Sequence, residues 1–138
     1  MRDSTGGESQ AATAVINRGA EISARDGWTL AATLFEPHPD GDGPVTIIAA
    51  GAGIPRRYYG RFAGFLADRG RPTVTFDYRD IGGSRSGSLK GSKVRMRDWC
   101  TLDVPGVLAW AVREYPGRPV HWVGHSMGGF ATGLAPNN

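Results

Sequence analysis

The sequence predicts an α/β fold: a hairpin followed by a mostly parallel sheet with helices on both faces. Short apolar runs at 45–50 and 119–124 are typical of strands buried on both faces of a parallel sheet. Segments with helical spacing alternate with these runs, and strands that alternate with helices form this architecture. Two runs with partial alternation within 20–37 flank Asp26-Gly27, a strong hairpin signal.

The first elements follow from this pattern. Residues 1–18 have little periodicity, and we expect a disordered or loosely attached tail there, with the domain over 19–138. The hairpin at 20–37 leads to a Pro/Gly loop and then to the strand 45–50. A helix is predicted over 55–70, ended by a glycine and with four residues facing inward: Tyr59, Phe62, Ala63 and Leu66, with Gly70 at the end.

The second half repeats the alternation. A strand is predicted at 72–77, followed by a Gly/Ser/basic loop at 78–93, whose four basic residues we expect to be solvated. A helix is predicted over 97–116, with a kink at Pro105-Gly106 because an internal proline breaks helical hydrogen bonds. The inward residues of this helix are expected to be Trp99, Leu102, Val107 and Trp110, and the basic residues of the loop are Arg79, Arg85, Lys90 and Lys93.

The last elements are a buried strand at 119–124 and a short helix at 127–135, which is rich in small residues. The glycine-rich loops 51–53, 78–93 and 124–129 each follow a strand. Because parallel strands end at the same edge of a sheet, these loops should gather there, where binding crevices lie in such folds.

Composition excludes several classes of function. The 138 residues carry a net charge of +3 and a single cysteine, Cys100, which excludes an internal disulfide framework. No basic stripe with interleaved aromatics predicts nucleic-acid binding, and no run reaches the length of a membrane span or signal peptide, so we expect a cytoplasmic protein. The turn at 51–56 lacks the glycines and lysine of nucleotide-binding loops, and we expect neither cofactor nor metal.

Gly124-His125-Ser126-Met127-Gly128 has the Gly-x-Ser-x-Gly pattern of a nucleophilic serine on a tight turn. The bare pattern is weak in a chain with 21 glycines, and a tight turn with a surface serine is the simpler alternative. A strand before the motif and a helix after it strengthen the catalytic interpretation. A backbone N–H from the loop 49–53 could then bind an oxyanion together with the N–H of Met127.

Four segments make the chain resemble α/β-hydrolase-fold serine hydrolases: "AAGAGIPRRYYGRFAGFLADRG", "TFDYRDIGGSR", "MRDWCTLDVPGVLAWA" and "GHSMGG". The chain is similar to the monoacylglycerol-lipase and serine-aminopeptidase-like group and to a bacterial subfamily of predicted α/β hydrolases. The resemblance implies a small-molecule substrate with an ester, amide or thioester bond, cleaved through an acyl-enzyme. It assigns the nucleophile to Ser126, the oxyanion N–H groups to Ala52 and Met127, and the elbow to Gly124, His125 and Gly128.

The sequence departs from this family at two positions beside the site. Ala50 stands where many relatives have histidine, which leaves the backbone donor untouched. Asp80 stands in place of a glycine in the motif "DYRD", which puts the shape of that loop in doubt.

The acid and the histidine of this family come after the serine, and the sequence beyond Gly128 holds no His, Asp or Glu. His125 is expected to pack locally in the elbow, while His121 belongs to the sheet and His38 to the opposite end of the fold. Three carboxylates are more suited to shaping loops or capping a helix than to acting as a base: Asp77, Asp80 and Asp103.

We therefore expect an N-terminal part of an α/β-hydrolase fold, truncated after the elbow helix and inactive by itself. A non-catalytic fragment, a binding module and an acyltransferase on the same scaffold remain alternatives. An unpaired strand edge at 119–124 would favour self-association and marginal stability.

Overall fold

The computed structural model describes residues 14–136, which form a five-stranded mixed sheet in the order β1-β2-β4-β3-β5. The strands β3, β4 and β5 run parallel, whereas β1 and β2 pair antiparallel and β2 joins β4 antiparallel. The predicted fold class is confirmed. The strands are β1 Ala14–Ser23, β2 Thr29–His38, β3 Val45–Ala49, β4 Thr73–Phe76 and β5 Val120–Gly124.

Helices connect the parallel strands and cover the sheet. A 3₁₀ turn at Arg56–Tyr59 leads into α1, and a short 3₁₀ turn lies in the loop after β4. Within residues 14–136 the longest helix has 11 residues, and none could cross a membrane. The helices are α1 Gly60–Ala67, α2 Met96–Asp98, α3 Val104–Glu114 and α4 Met127–Ala131.

The hairpin forms as predicted, but it begins earlier than expected. Ser23 pairs with Thr29 across the turn, in which Gly27 has a φ of 90°. At the other end Ala14 pairs with His38, so residues 14–18 are strand and not tail. Pairing along all ten positions of β2 explains this extension. Residues 1–13 of the expected tail lie outside the described part of the chain.

The prediction that β5 is a buried strand is wrong. Among the described strands β5 pairs only with β3, and none of its five residues is buried. By contrast, all five residues of β3, which has a neighbour on each side, are buried. An apolar run predicts a strand correctly here, but burial depends on what lies beside the strand.

The predicted kink at Pro105-Gly106 takes the form of a π turn just before it. Residues Trp99–Asp103 form this turn, in which the N–H of Val104 bonds to the Trp99 carbonyl, and Pro105 then lies in the first turn of α3. The helix continues through this point from Met96 to Glu114, so Pro105, which has no N–H, follows a turn with irregular hydrogen bonding instead of interrupting a regular helix. Of the predicted inward residues of this segment, Val107 and Trp110 are buried, while Trp99 and Leu102 are half-buried.

The inward face predicted for the first helix is largely confirmed. Tyr59 and Ala63 are buried and Leu66 is half-buried, whereas Phe62 is 44% exposed and stacks beside Phe65 on the outer face. Gly70 has a φ of 78° in the turn that ends this helical segment, as predicted.

An ionic network, buried at Arg79 and Asp103 and exposed at Asp26, joins the hairpin turn to the π turn. The Arg79 guanidinium donates two hydrogen bonds to Asp26, at 2.9 and 2.7 Å, and one to Asp103, at 2.7 Å. The Arg79 backbone N–H also donates to Asp103, at 2.8 Å. Arg79 is 4% exposed, so the expectation of a solvated Arg79 is wrong. Asp103 lies at the N-cap position of α3, as expected, but it is fully buried and its carboxylate binds Arg79 and caps no helical N–H. The other basic residues of this loop, Arg85, Lys90 and Lys93, are exposed as expected.

Burial and pairing act in opposite directions on the two carboxylates. Burial raises the pKa of Asp103 to about 6, although its hydrogen bonds with Arg79 oppose the rise. The hydrogen bonds from Arg79 lower the pKa of Asp26, which lies near the surface. The network therefore holds one carboxylate at a substantial desolvation cost.

The packing of α4 against β3 requires glycine at one position. A Cβ atom on Gly128 would lie 2.3 Å from the carbonyl oxygen of Ala49 and 2.8 Å from that of Ala50. Both obstacles are backbone atoms at the end of a central strand, so the helix could accommodate a side chain only by moving away from the sheet.

We expect the stability of the native chain, relative to the Asp103→Asn variant, to fall as the pH rises. The folded-state pKa of about 6 lies above the ordinary value of about 3.9, so the folded chain binds the proton more tightly. This contribution is present below about pH 4 and is lost as the pH rises through about 6, a change on the order of 2 to 3 kcal/mol. Urea unfolding of both proteins across this range measures it. A difference that grows with pH would show that Arg79 outweighs burial.

We expect Gly128→Ala to lower the free energy of unfolding by about 3 kcal/mol, because the added methyl group overlaps the β3 backbone. The matched control is Gly64→Ala in α1, where a Cβ would meet nothing within 4 Å. That change should raise the free energy of unfolding by about 0.5 to 1 kcal/mol, because alanine favours the helix. Equal urea midpoints for the two variants would contradict the close packing of α4.

Candidate active site

Ser126 lies in a sharp turn between β5 and α4, with a strained backbone. Its φ of 53° and ψ of −119° are unusual for a residue with a side chain. The residue is exposed, whereas the next two, Met127 and Gly128, are buried. Strand, strained serine and helix therefore occur in the order that the motif predicts.

Hydrogen bonds join the turn to β3 before Ser126 and join the turn to the start of α4 after it. The His125 N–H donates to the Ala49 carbonyl at 3.0 Å, extending the pairing of β3 and β5 by one bond. The Gly129 N–H donates to the Ser126 carbonyl at 2.9 Å, and the indole of Trp122 donates to the Gly128 carbonyl at 2.8 Å. A Cβ on Gly124 would lie 2.3 Å from the backbone of Gly129, so this position also requires glycine.

The loop after β3 meets the elbow through one tyrosine. The Gly51 N–H donates to the Tyr59 hydroxyl at 3.1 Å, and this hydroxyl lies 2.7 Å from Nδ1 of His125. The Tyr59 and His125 rings meet edge to face, with centroids 5.9 Å apart. These contacts confirm the prediction that the His125 side chain packs locally.

Two backbone N–H groups at this edge are unengaged. Those of Ala52 and Met127 donate to no acceptor within residues 14–136, whereas the neighbouring Gly51 N–H is bonded to Tyr59. Ala52 is exposed, and the turn that contains it is closed by a hydrogen bond of 3.1 Å from the Ile54 N–H to the Gly51 carbonyl. Their assignment as oxyanion donors stays a prediction.

Asp77 links the loop after β4 to the loop after β3. It is buried and accepts hydrogen bonds from the Arg56 backbone N–H at 2.6 Å, from the Arg56 guanidinium and from the Gly83 N–H at 2.9 Å. These bonds fill its oxygens, which agrees with a role in shaping the loop. Together with the Tyr59–His125 contact, these bonds bring the three glycine-rich loops to one edge of the sheet, as predicted.

Asp80 ends the segment "DYRD" and contacts the rest of its loop through both its backbone and its side chain. Its φ of 62° is left-handed, a conformation that favours glycine but that Asp adopts more readily than most residues. Its N–H donates to the Ser84 carbonyl at 3.1 Å, and its carboxylate accepts a hydrogen bond from the Ser92 hydroxyl. The loop thus keeps the backbone conformation that a glycine would allow.

No histidine is placed to activate Ser126 within the described residues. The Ser126 hydroxyl has no hydrogen-bond partner there, and Nδ1 of His125 is engaged with Tyr59. His121 is exposed on β5 beside the Arg71 guanidinium, and His38 ends β2 at the other end of the sheet, as expected. Residues 14–136 also hold no group of three or more side chains suited to bind a metal ion.

The structure brings together all the residues predicted for the site, and it adds one. Ser126, its flanking elbow residues and Ala52 lie on adjoining loops joined by the His125–Ala49 and His125–Tyr59 contacts. Sequence reasoning treated Tyr59 only as an inward residue of a helix. Its polar hydroxyl, close in sequence to the glycine loop, was the available signal.

Comparisons with known proteins agree with this fold. A sequence model of the family described as alpha/beta hydrolase fold matches residues 43–134. An esterase from Pyrococcus furiosus has a TM-score of 0.65 and 22% identity, over 85% of this chain and 42% of its own. A cold-adapted esterase from an Arctic intertidal metagenomic library has a TM-score of 0.60 and 20% identity, over 96% and 58% of the two chains. Brefeldin A esterase, a bacterial homologue of human hormone-sensitive lipase, has a TM-score of 0.61 and 20% identity, over 85% and 33%.

The chain spans about two fifths of the length of the Pyrococcus furiosus esterase. The identity to these three structures is low, so they establish the fold alone. The family match extends over two thirds of the chain and includes the whole elbow. The chain therefore belongs to the α/β-hydrolase-fold family.

Proposed function

We propose that this chain supplies the nucleophile and the oxyanion site of a serine hydrolase. The observation that carries the proposal is the backbone of Ser126, at φ 53° and ψ −119° between a strand and a helix, with the residue exposed. Strained conformations of this kind persist where the surrounding structure enforces them, and they cluster at active sites. A plain surface turn would place glycine at such a position.

The chemistry follows the acyl-enzyme route. The Ser126 hydroxyl oxygen attacks the carbonyl carbon of the substrate while a base takes the hydroxyl proton. The carbonyl oxygen becomes an oxyanion and accepts hydrogen bonds from the N–H groups of Ala52 and Met127. The bond to the leaving group then breaks, and the leaving group takes the proton. Water attacks the acyl-enzyme in the same way, releases the acid and restores the hydroxyl.

The base and its acid come from outside residues 14–136 in this proposal. No histidine in that range contacts the Ser126 hydroxyl, and the carboxylates near this edge are engaged with Arg56, Arg79 or Ser92. An unassisted serine hydroxyl is a weak nucleophile. We therefore infer that the chain in isolation has little or no turnover.

The substrate class is a small molecule with an ester, amide or thioester bond. Three of the similar folds are named as esterases, which favours an ester. The same attack on an acyl carbonyl would serve an acyltransferase, in which an alcohol or amine replaces the water. The elbow and the donors are common to both reactions.

We expect a fluorophosphonate probe to modify Ser126, slowly by itself and faster when imidazole is added as an external base. Phosphonylation joins the serine oxygen to phosphorus and expels fluoride, while the base takes the hydroxyl proton and the phosphoryl oxygen of the probe binds at the oxyanion site. Mass spectrometry of the digested chain identifies the modified residue, and the rate is measured with and without imidazole.

The controls are Ser126→Ala, which should abolish the modification, and Ser88→Ala, which alters an exposed loop serine and should leave it unchanged. A folded chain that remains unmodified at Ser126 even with imidazole would contradict the proposal and favour a non-catalytic fragment or binding module.

We further propose that two copies of the chain associate through the free edge of β5. In the described part of the sheet this strand pairs only with β3, and exposed Val123 lies on it. The adjoining α4 segment exposes Phe130 and Leu134. An open strand edge with apolar neighbours is a template for pairing with another strand.

Sedimentation of the purified chain should therefore show a concentration-dependent dimer. Val123→Lys places a charge on this edge and should shift the equilibrium toward the monomer. Val112→Lys, an exposed apolar residue of α3, is the matched control and should not. A native chain that stays monomeric over the same concentrations would rule out this association.

A further inference from the structure

Tyr59 bonds to two different loops of the candidate site with one hydroxyl group. It accepts the Gly51 N–H at 3.1 Å and contacts Nδ1 of His125 at 2.7 Å. Gly51 directly precedes Ala52, and His125 directly precedes Ser126. We propose that Tyr59 is a positioning residue, which holds the turn that presents the Ala52 N–H in register with the serine.

The contact is selective for one N–H of the turn. The Gly51 N–H is bonded to Tyr59, whereas the Ala52 N–H has no acceptor within residues 14–136. The bond to Tyr59 fixes the peptide plane between Ala50 and Gly51, at the start of the turn. The next peptide plane, between Gly51 and Ala52, is held by the hydrogen bond from the Ile54 N–H to the Gly51 carbonyl, which leaves the Ala52 N–H for a ligand. Tyr59 is only 9% exposed, so water does not readily replace its hydroxyl.

The arrangement also fixes the tautomer of His125. The Tyr59 oxygen accepts from Gly51, and within residues 14–136 its own proton has no acceptor other than Nδ1 of His125. If Nδ1 carried the proton, the Tyr59 hydroxyl would be a nearly buried donor without a partner, which is costly. The Tyr59 O–H therefore donates to Nδ1, and His125 carries its proton on Nε2.

This inference depends on the proposed function for its chemical meaning, since positioning matters only if Ala52 binds an oxyanion. The hydrogen bonds themselves do not depend on it. The test therefore includes two measurements on the folded chain that need no reaction and one that does.

The key variant is Tyr59→Phe, which keeps the ring and removes the hydroxyl. We expect the Gly51 amide to exchange its hydrogen about tenfold faster, because it loses its acceptor. In the native chain the ¹⁵N shifts of His125 should show the Nε2–H tautomer, and in the variant a mixture. The matched control is Tyr58→Phe, because Tyr58 lies next to Tyr59 in the sequence but is 72% exposed. This change should alter neither measurement.

The third measurement is the imidazole-assisted rate of fluorophosphonate modification at Ser126. We expect Tyr59→Phe to lower it about tenfold, because a displaced donor stabilises the oxyanion poorly, while Tyr58→Phe leaves it unchanged. His125→Asn keeps an acceptor near the place of Nδ1 and should retain most of the rate, whereas His125→Leu should not. If Tyr59 had only a structural role, His125→Asn and His125→Leu would react at the same rate.

The outcomes separate the two proposals. If the native chain is not modified at all, the proposed function fails, and Gly51 exchange and the His125 tautomer still decide whether Tyr59 holds the loop. The positioning role is overturned if Gly51 exchange is the same in both tyrosine variants, or if His125 carries its proton on Nδ1. It is also overturned if the native chain is modified and folded Tyr59→Phe reacts at the same rate.

Discussion

The hydrogen bond from the His125 N–H to the Ala49 carbonyl is the constraint on which the site depends. It continues the parallel pairing of β3 and β5 past the last strand residue, so the chain must reverse within two residues to begin α4. The strained Ser126 backbone is a consequence of this reversal. Gly128 makes the reversal possible, because its missing side chain lets α4 start directly over the Ala49 carbonyl.

The rest of the site edge is assembled by side chains that bind backbone groups of other loops. Tyr59 binds the turn after β3, and Asp77 binds both the start of the following helical segment and the loop after β4. In each case a polar group from a rigid element satisfies backbone donors that no strand or helix can satisfy. Loops rich in glycine are thereby given one defined shape by a few hydrogen bonds.

The sequence predicts the elements well because their signals are local. The Asp26-Gly27 turn, the apolar run of β3 and the elbow motif each lie within a few residues. Burial and pairing depend on partners far along the chain, and there sequence reasoning failed. Arg79 looked like a surface residue because its partner Asp26 is distant in sequence, and β5 looked buried because its composition resembles that of β3. The role of the Tyr59 hydroxyl was not predicted for the same reason, because its partner His125 is 66 residues away.

Asp80 combines a left-handed backbone, which favours glycine, with a side chain that can accept a hydrogen bond. A glycine would adopt the same left-handed backbone, but it could not accept the hydrogen bond from Ser92. That bond closes the segment between the two residues into a ring, and the entropy lost by a segment on closure grows only slowly with its length. An exposed hydrogen bond contributes only about 1 kcal/mol, so this bond restrains the segment without holding it alone, whereas a glycine would supply no such restraint.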